Sequence, residues 1–139
     1  MKRLKPMLMP SLMFLAMLAS SSSAVAAVVA IVNKANTVAD KKMISKFYSL
    51  EAKSWPDGSR AILYETSIES EREEFSMSYT GKSAETLETN LAKAVFVGRS
   101  KPHKVLSSDA SIIDEVSKDK DAVGYVNESS LNNSVRAVR

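Results

Sequence analysis

The chain contains no cysteine and a single histidine, His103. Without cysteine there are no disulfides, thiolate metal sites, cysteine nucleophile or lipid anchor on cysteine. One histidine leaves little for metal ligation or acid–base chemistry, which lean on imidazole. Nothing assembles a nucleophile with a base, a metal cluster or a phosphate-cradling Walker loop. The reading is therefore noncatalytic, with no cofactor and no metal. Glycine and proline are also scarce, four of each in 139 residues, so each marks a definite turn. The length suits one domain. The apolar fraction of 45% and charged fraction of 25% are those of a globular protein.

The N-terminus has the layout of a secretory signal peptide over residues 1–26. Lys2, Arg3 and Lys5 precede an apolar stretch from Met7 to Ala19, and Ala24-Val25-Ala26 offers a cleavage site after Ala26. The alternative is a membrane anchor over residues 7–32, because no charge occurs between Pro6 and Asn33. The domain then covers residues 27–139, periplasmic or secreted. The first 26 residues carry three basic and no acidic side chains, so residues 27–139 hold 16 of each sign. The basic balance of the whole chain belongs to its leader, and no electrostatic footprint for nucleic acid remains.

Val28-Val29-Ala30-Ile31-Val32 is a continuous, mostly β-branched run, as expected of a buried strand. A helix is expected from Val38 to Leu50, with Met43, Ile44, Phe47 and Tyr48 on one face. Ser54-Trp55-Pro56-Asp57-Gly58-Ser59 is a turn. Trp55 reads either as a packing residue or as a ligand platform. Ala61-Ile62-Leu63-Tyr64 suits a second buried strand, followed by a polar turn at Glu65-Thr66-Ser67. A helix beginning near Ser67 or Ser70 stops at Gly81. Ser83 caps a third helix bearing Ala84, Leu87, Leu91 and Ala94 or Val95.

Phe96 to Lys104 reads as a basic loop, either a solvated connector or an anion- or partner-binding loop. Ser108 or Asp109 opens a fourth helix with Ile112, Ile113 and Val116. Ala122-Val123-Gly124-Tyr125-Val126 is a strand in which Gly124 permits close approach. Val135 to Val138 is a final strand. The order β-α-β-α-α-α-β-β predicts an α/β, three-layer α/β/α-like domain around one sheet. The strand–turn–helix passage from Ala61 to Phe75 is the place where such folds present backbone N–H groups to an anion.

Five stretches in this order are familiar together: Val28–Lys34, Ser54–Ser59, Arg72-Glu73-Glu74-Phe75, Phe96-Val97-Gly98 and Ala122–Val126. They resemble the short, single-lobe members of the periplasmic substrate-binding superfamily labelled phosphate ABC transporter substrate-binding-like. Full-length members have two α/β lobes that close on an oxyanion. The resemblance implies one such lobe, a phosphate or similar oxyanion ligand, and an ABC transporter or envelope membrane protein as partner.

It places the ligand-binding residues at Thr66, Ser67, Ser70 and Arg72. The glycine usual at this turn is replaced by Ile68-Glu69, and Glu69, Glu71, Glu73 and Glu74 crowd the helix start. Acids there suit the helix dipole but oppose a bound anion. Binding is accordingly expected to be weak, or tighter across a dimer. The alternative is an envelope protein–protein interaction module that has lost ligand binding. Capping is the competing role for the hydroxyls, and an ion pair with a nearby glutamate for Arg72.

Overall fold

Two strands buried along almost their whole length form the centre of the sheet. These are β1, Val28–Asn33, and β4, Ala122–Asn127, and they pair antiparallel. The computed structural model describes residues 27–139. The expected signal peptide over 1–26 lies outside the described residues, as does most of the anchor alternative. Residues 28–32, the end of that alternative, are strand β1. Among the described residues no helix is long and apolar enough to cross a membrane.

The remaining elements are α1 (Lys41–Tyr48), β2 (Ile62–Thr66), α2 (Glu69–Thr80), α3 (Ala84–Phe96), β3 (Lys104–Leu106), α4 (Asp109–Lys118) and β5 (Val135–Val138). A short 3-10 turn, Glu128–Ser130, lies between β4 and β5. The sheet order is β3-β2-β4-β1-β5. β2 runs parallel to β3 and β4, while β5 lies antiparallel to β1.

Side chains alternate across the sheet and build a core on each face. On one face, Ala30, Val32, Val123 and Tyr125 meet Ile44, Phe47 and Tyr48 of α1 and Phe75 of α2. Phe75 and Tyr125 stack with ring centroids 4.0 Å apart, and Tyr48 packs its edge on both. The Tyr48 hydroxyl is buried and donates to the Tyr64 carbonyl at 2.7 Å. On the other face, Ile112, Ile113 and Val116 of α4 cover Ile31, Ala122 and Val126. α4 can approach because position 124 has no side chain. A Cβ there would lie 2.6 Å from Ile112 Cγ2. The fold is thus the expected α/β lobe, with helices on both faces of one sheet. α3 leans on α2 and buries only Leu87.

Local chemistry sets the helix ends. Asp40, Ser83 and Ser108 cap α1, α3 and α4, each accepting a backbone N–H from three residues on. Gly81 ends α2 in the left-handed conformation, φ 70°. Trp55 is buried, its ring edge on Phe47 and its Nε1 donating to the Asp121 carbonyl at 3.0 Å, so it takes the packing role.

Three expectations are corrected. α1 starts at Lys41 rather than Val38, because Asn36 Oδ1 accepts the Val38 and Ala39 N–H groups and holds that stretch in a turn. β2 extends through Glu65 and Thr66, so the polar turn begins at Ser67. Lys104-Val105-Leu106 is an edge strand, absent from the expected order.

Candidate functional site

The turn from β2 into α2 is held by two backbone N–H donors, one to a carbonyl and one to a side-chain hydroxyl. Ser67 N–H donates to the Leu106 carbonyl at 2.9 Å, which ties the turn to β3. Ile68 N–H donates to Thr66 Oγ1 at 3.2 Å. Thr66 is fully buried, and its hydroxyl shapes the turn from inside. Ile68 occupies the position before the helix and has no side-chain oxygen with which to cap it. Of the four α-helices among the described residues, α2 alone lacks a side-chain cap. The first N–H groups of a helix have no partner within it. Ser67 and Ser70 are exposed beside those of α2.

Arg72 lies one turn further along. Its Nη2 is 4.0 Å from Glu65 Oε2 and 3.9 Å from Glu88 Oε2, so the glutamate pairing weighed for it from sequence is present. Glu65 is largely buried, and His103 Nδ1 lies 3.3 Å from the same Oε2. The His103 ring packs its edge on Tyr48. Burial pushes the phenols of Tyr48 and Tyr125 above their ordinary value, and the Glu65 charge adds to both. Arg72 opposes that rise at Tyr125. Arg72 is thus directed toward Glu65 beneath the turn. Ser67 and Ser70 stand at the open helix end, and Thr66 lies within.

A second carboxyl joins this end of α2 to the start of α4. Burial, and next the charge of Asp109, push Glu71 up to about 6. Asp109 Oδ2 accepts from Asn127 N–H at 3.1 Å and Ser130 Oγ at 2.7 Å. Glu71 Oε2 and Asp109 Oδ1 are buried and meet no donor. Neither carboxylate can donate to the other, but a proton on Glu71 completes a hydrogen bond to Asp109. Sequence reasoning placed Glu71 only among the acids crowding the helix start. Its partner is 38 positions away, and no spacing rule links them. Glu65 falls likewise in the polar turn expected from sequence, which hides its place between Arg72 and His103.

No protein-family model matches the sequence, and no curated protein matches it. Solved structures do match. A candidate phosphate ABC transporter substrate-binding protein from Clostridium perfringens, solved with phosphate bound, superposes with a TM-score of 0.61 at 18% identity. An ABC-type phosphate transport receptor from Vibrio cholerae gives 0.56 at 17%, and a candidate phosphate-binding protein from Planctomyces limnophilus gives 0.55 at 17%. Each match covers 81% of this chain but only 44%, 45% and 40% of the other. The chain therefore spans less than half the length of the structures it matches. The likeness is one of fold: the chain has the architecture of one lobe of these structures.

Proposed function

We propose that the chain is a noncatalytic, periplasmic binding module that takes phosphate or another small oxyanion at the start of α2. One observation carries this reading: the N-terminus of α2 is left without a side-chain cap at the end of a parallel strand. Open N–H groups and the helix dipole favour an anion there. Ser67 and Ser70 supply hydroxyl donors, Arg72 supplies the neighbouring positive charge, and Thr66 holds the turn. The fold shared with a phosphate-bound protein supports the choice of ligand, and the neighbours described above are binding proteins rather than enzymes.

Affinity is modest for two reasons. Glu69 and Glu71 stand in the first turn of the same helix, and Arg72 is already shared between two glutamates. An ABC transporter membrane protein is the partner this reading implies.

The test is calorimetric titration of phosphate and sulfate into the chain, with the oligomeric state measured in the same buffer. Saturable heat that falls in Ser70→Ala and disappears in Arg72→Ala is the expected result. Absence of heat from a folded sample would move the weight to a second reading, an envelope interaction module without a ligand. The exposed apolar pair Phe96 and Val97 at the end of α3 is the observation favouring that alternative.

A further inference from the structure

At the end of β2 remote from the α2 turn lies a cavity of about 450 Å³. That size is typical of small-molecule sites. Its floor is apolar, formed by Phe47 and Leu50 from α1 and its exit and by Ile62 and Leu63 from β2. Its rim is basic, with Lys53, Arg60, Lys101 and Lys104 set against one acid, Asp121. Asp121 Oδ1 is already engaged by Ser59 Oγ at 3.0 Å. Lys53 Nζ donates to the Arg99 carbonyl and ties the basic loop to the chain leaving α1. The Lys104 ammonium lies 5.7 Å from the centre of the Tyr64 ring. Among the described residues, the side chains of Arg60 and Lys101 form neither an ion pair nor a hydrogen bond. Two cations outside any ion pair at the mouth of an apolar cavity, on a rim where bases outnumber acids, define the complementary ligand.

The wall carries a second mark. Leu50 sits at φ 64°, in the left-handed region that branched side chains rarely occupy. Strain of this kind collects at binding sites, where surrounding structure holds it in place. Here it holds a leucine side chain against the cavity at a position after a helix where glycine is the usual residue.

We propose that this cavity is a second binding site, for a small amphiphilic anion: an aromatic or acyl body carrying one carboxylate or phosphate group. The body rests on Phe47, Leu50 and Leu63, and the anionic head meets Arg60 and Lys101. A bare inorganic anion would leave the apolar floor unused, and a neutral apolar molecule would leave the two cations unpaired. The inference is independent of the anion reading at α2, because none of Thr66, Ser67, Ser70 and Arg72 lines the cavity; His103 does, and it meets the Glu65 carboxylate that Arg72 also approaches.

The test uses the full chain and 8-anilinonaphthalene-1-sulfonate, an aromatic monoanion whose fluorescence rises on leaving water. One probe per chain is expected to bind. Octanoate and octyl phosphate are the competitors that separate carboxylate from phosphate. At least one of them displaces the probe, while octanol and inorganic phosphate at equal concentration do not. The double variant R60A/K101A weakens probe binding about tenfold, equivalent to about 1.4 kcal/mol. Its unfolding temperature is unchanged, since both side chains are at the surface. Leu50→Gly, which suits the backbone at that position, weakens binding of both probe and competitors while the fold persists. The proposal is overturned if the folded chain binds no probe, if octanol or inorganic phosphate competes as well as octanoate, or if the double variant keeps full affinity.

Discussion

Replacing Glu71 by glutamine should make the protein more stable at neutral pH and leave it unchanged in acid. In the folded chain the Glu71 carboxyl rises from an ordinary value of 4.5 to about 6, through burial first and the Asp109 charge second. A rise of that size corresponds to about 2 kcal/mol favouring the protonated form. Glu71 is only partly buried, so solvent screening leaves about 1 kcal/mol of it as stability. Between about pH 4.5 and 6 the folded chain keeps a proton that the unfolded chain has released. Stability therefore falls as pH rises through that window, and the full penalty stands above it. Glutamine removes the charge and offers Asp109 Oδ1 an N–H at every pH, where the wild-type pair leaves two buried oxygens without a donor.

Urea unfolding is the assay, followed by the single tryptophan, Trp55, which is buried against Phe47. With a urea slope of about 2 kcal/mol per molar, Glu71→Gln should raise the midpoint by about 0.5 M at pH 7.5 and by nothing measurable at pH 4. A variant less stable than wild type at pH 7.5, or one equally improved at both pH values, would refute the carboxyl-pair account.

Other consequences follow from the same geometry. Gly124→Ala places a Cβ 2.6 Å from Ile112 Cγ2 and should cost about 1–3 kcal/mol in denaturant unfolding, the usual range for overpacking. Tyr48→Phe removes the donor to the Tyr64 carbonyl and should cost about 1 kcal/mol, read by thermal unfolding. Phe96→Ser should change stability by less than about 0.5 kcal/mol, because the ring is 91% exposed; a larger loss would mean that the ring is packed in solution. Sulfate keeps its charge between pH 7.5 and 5.5. Its affinity should rise over that interval as Glu71 takes up a proton beside the α2 N-terminus, and calorimetry at the two pH values checks this.

Much of the fold was legible because its centre is written in continuous runs. Val28–Val32 and Ala122–Val126 are buried on both sides of the sheet, so their apolar pattern has no gaps, and Gly124 stands out within it. Ser83, Ser108 and Gly81 mark helix ends by local chemistry that a sequence displays directly. β3 was hidden for the opposite reason. It is a three-residue edge strand whose residues are mostly exposed, and its sequence continues a basic loop.

At the candidate site, the strand–turn–helix position and its hydroxyls were readable. The long-range partners were not. Glu65 with His103 and Glu71 with Asp109 are each brought together across 38 positions by β3 and α4. Only the packed sheet reveals that the turn's acids are paired off. The absence of a cap on α2 could have been foreseen from Ile68, which fills the capping position with a side chain that has no acceptor.

The most direct test of the proposed anion site is an amide ¹⁵N–¹H titration of the chain with phosphate. Anion binding at the open end of α2 predicts saturable shifts concentrated at Glu69, Ser70 and Glu71, with smaller ones at Ser67 and Arg72. If those amides stay still while phosphate reaches tens of millimolar, or move only as residues elsewhere in the lobe do, the α2 N-terminus does not hold the ligand.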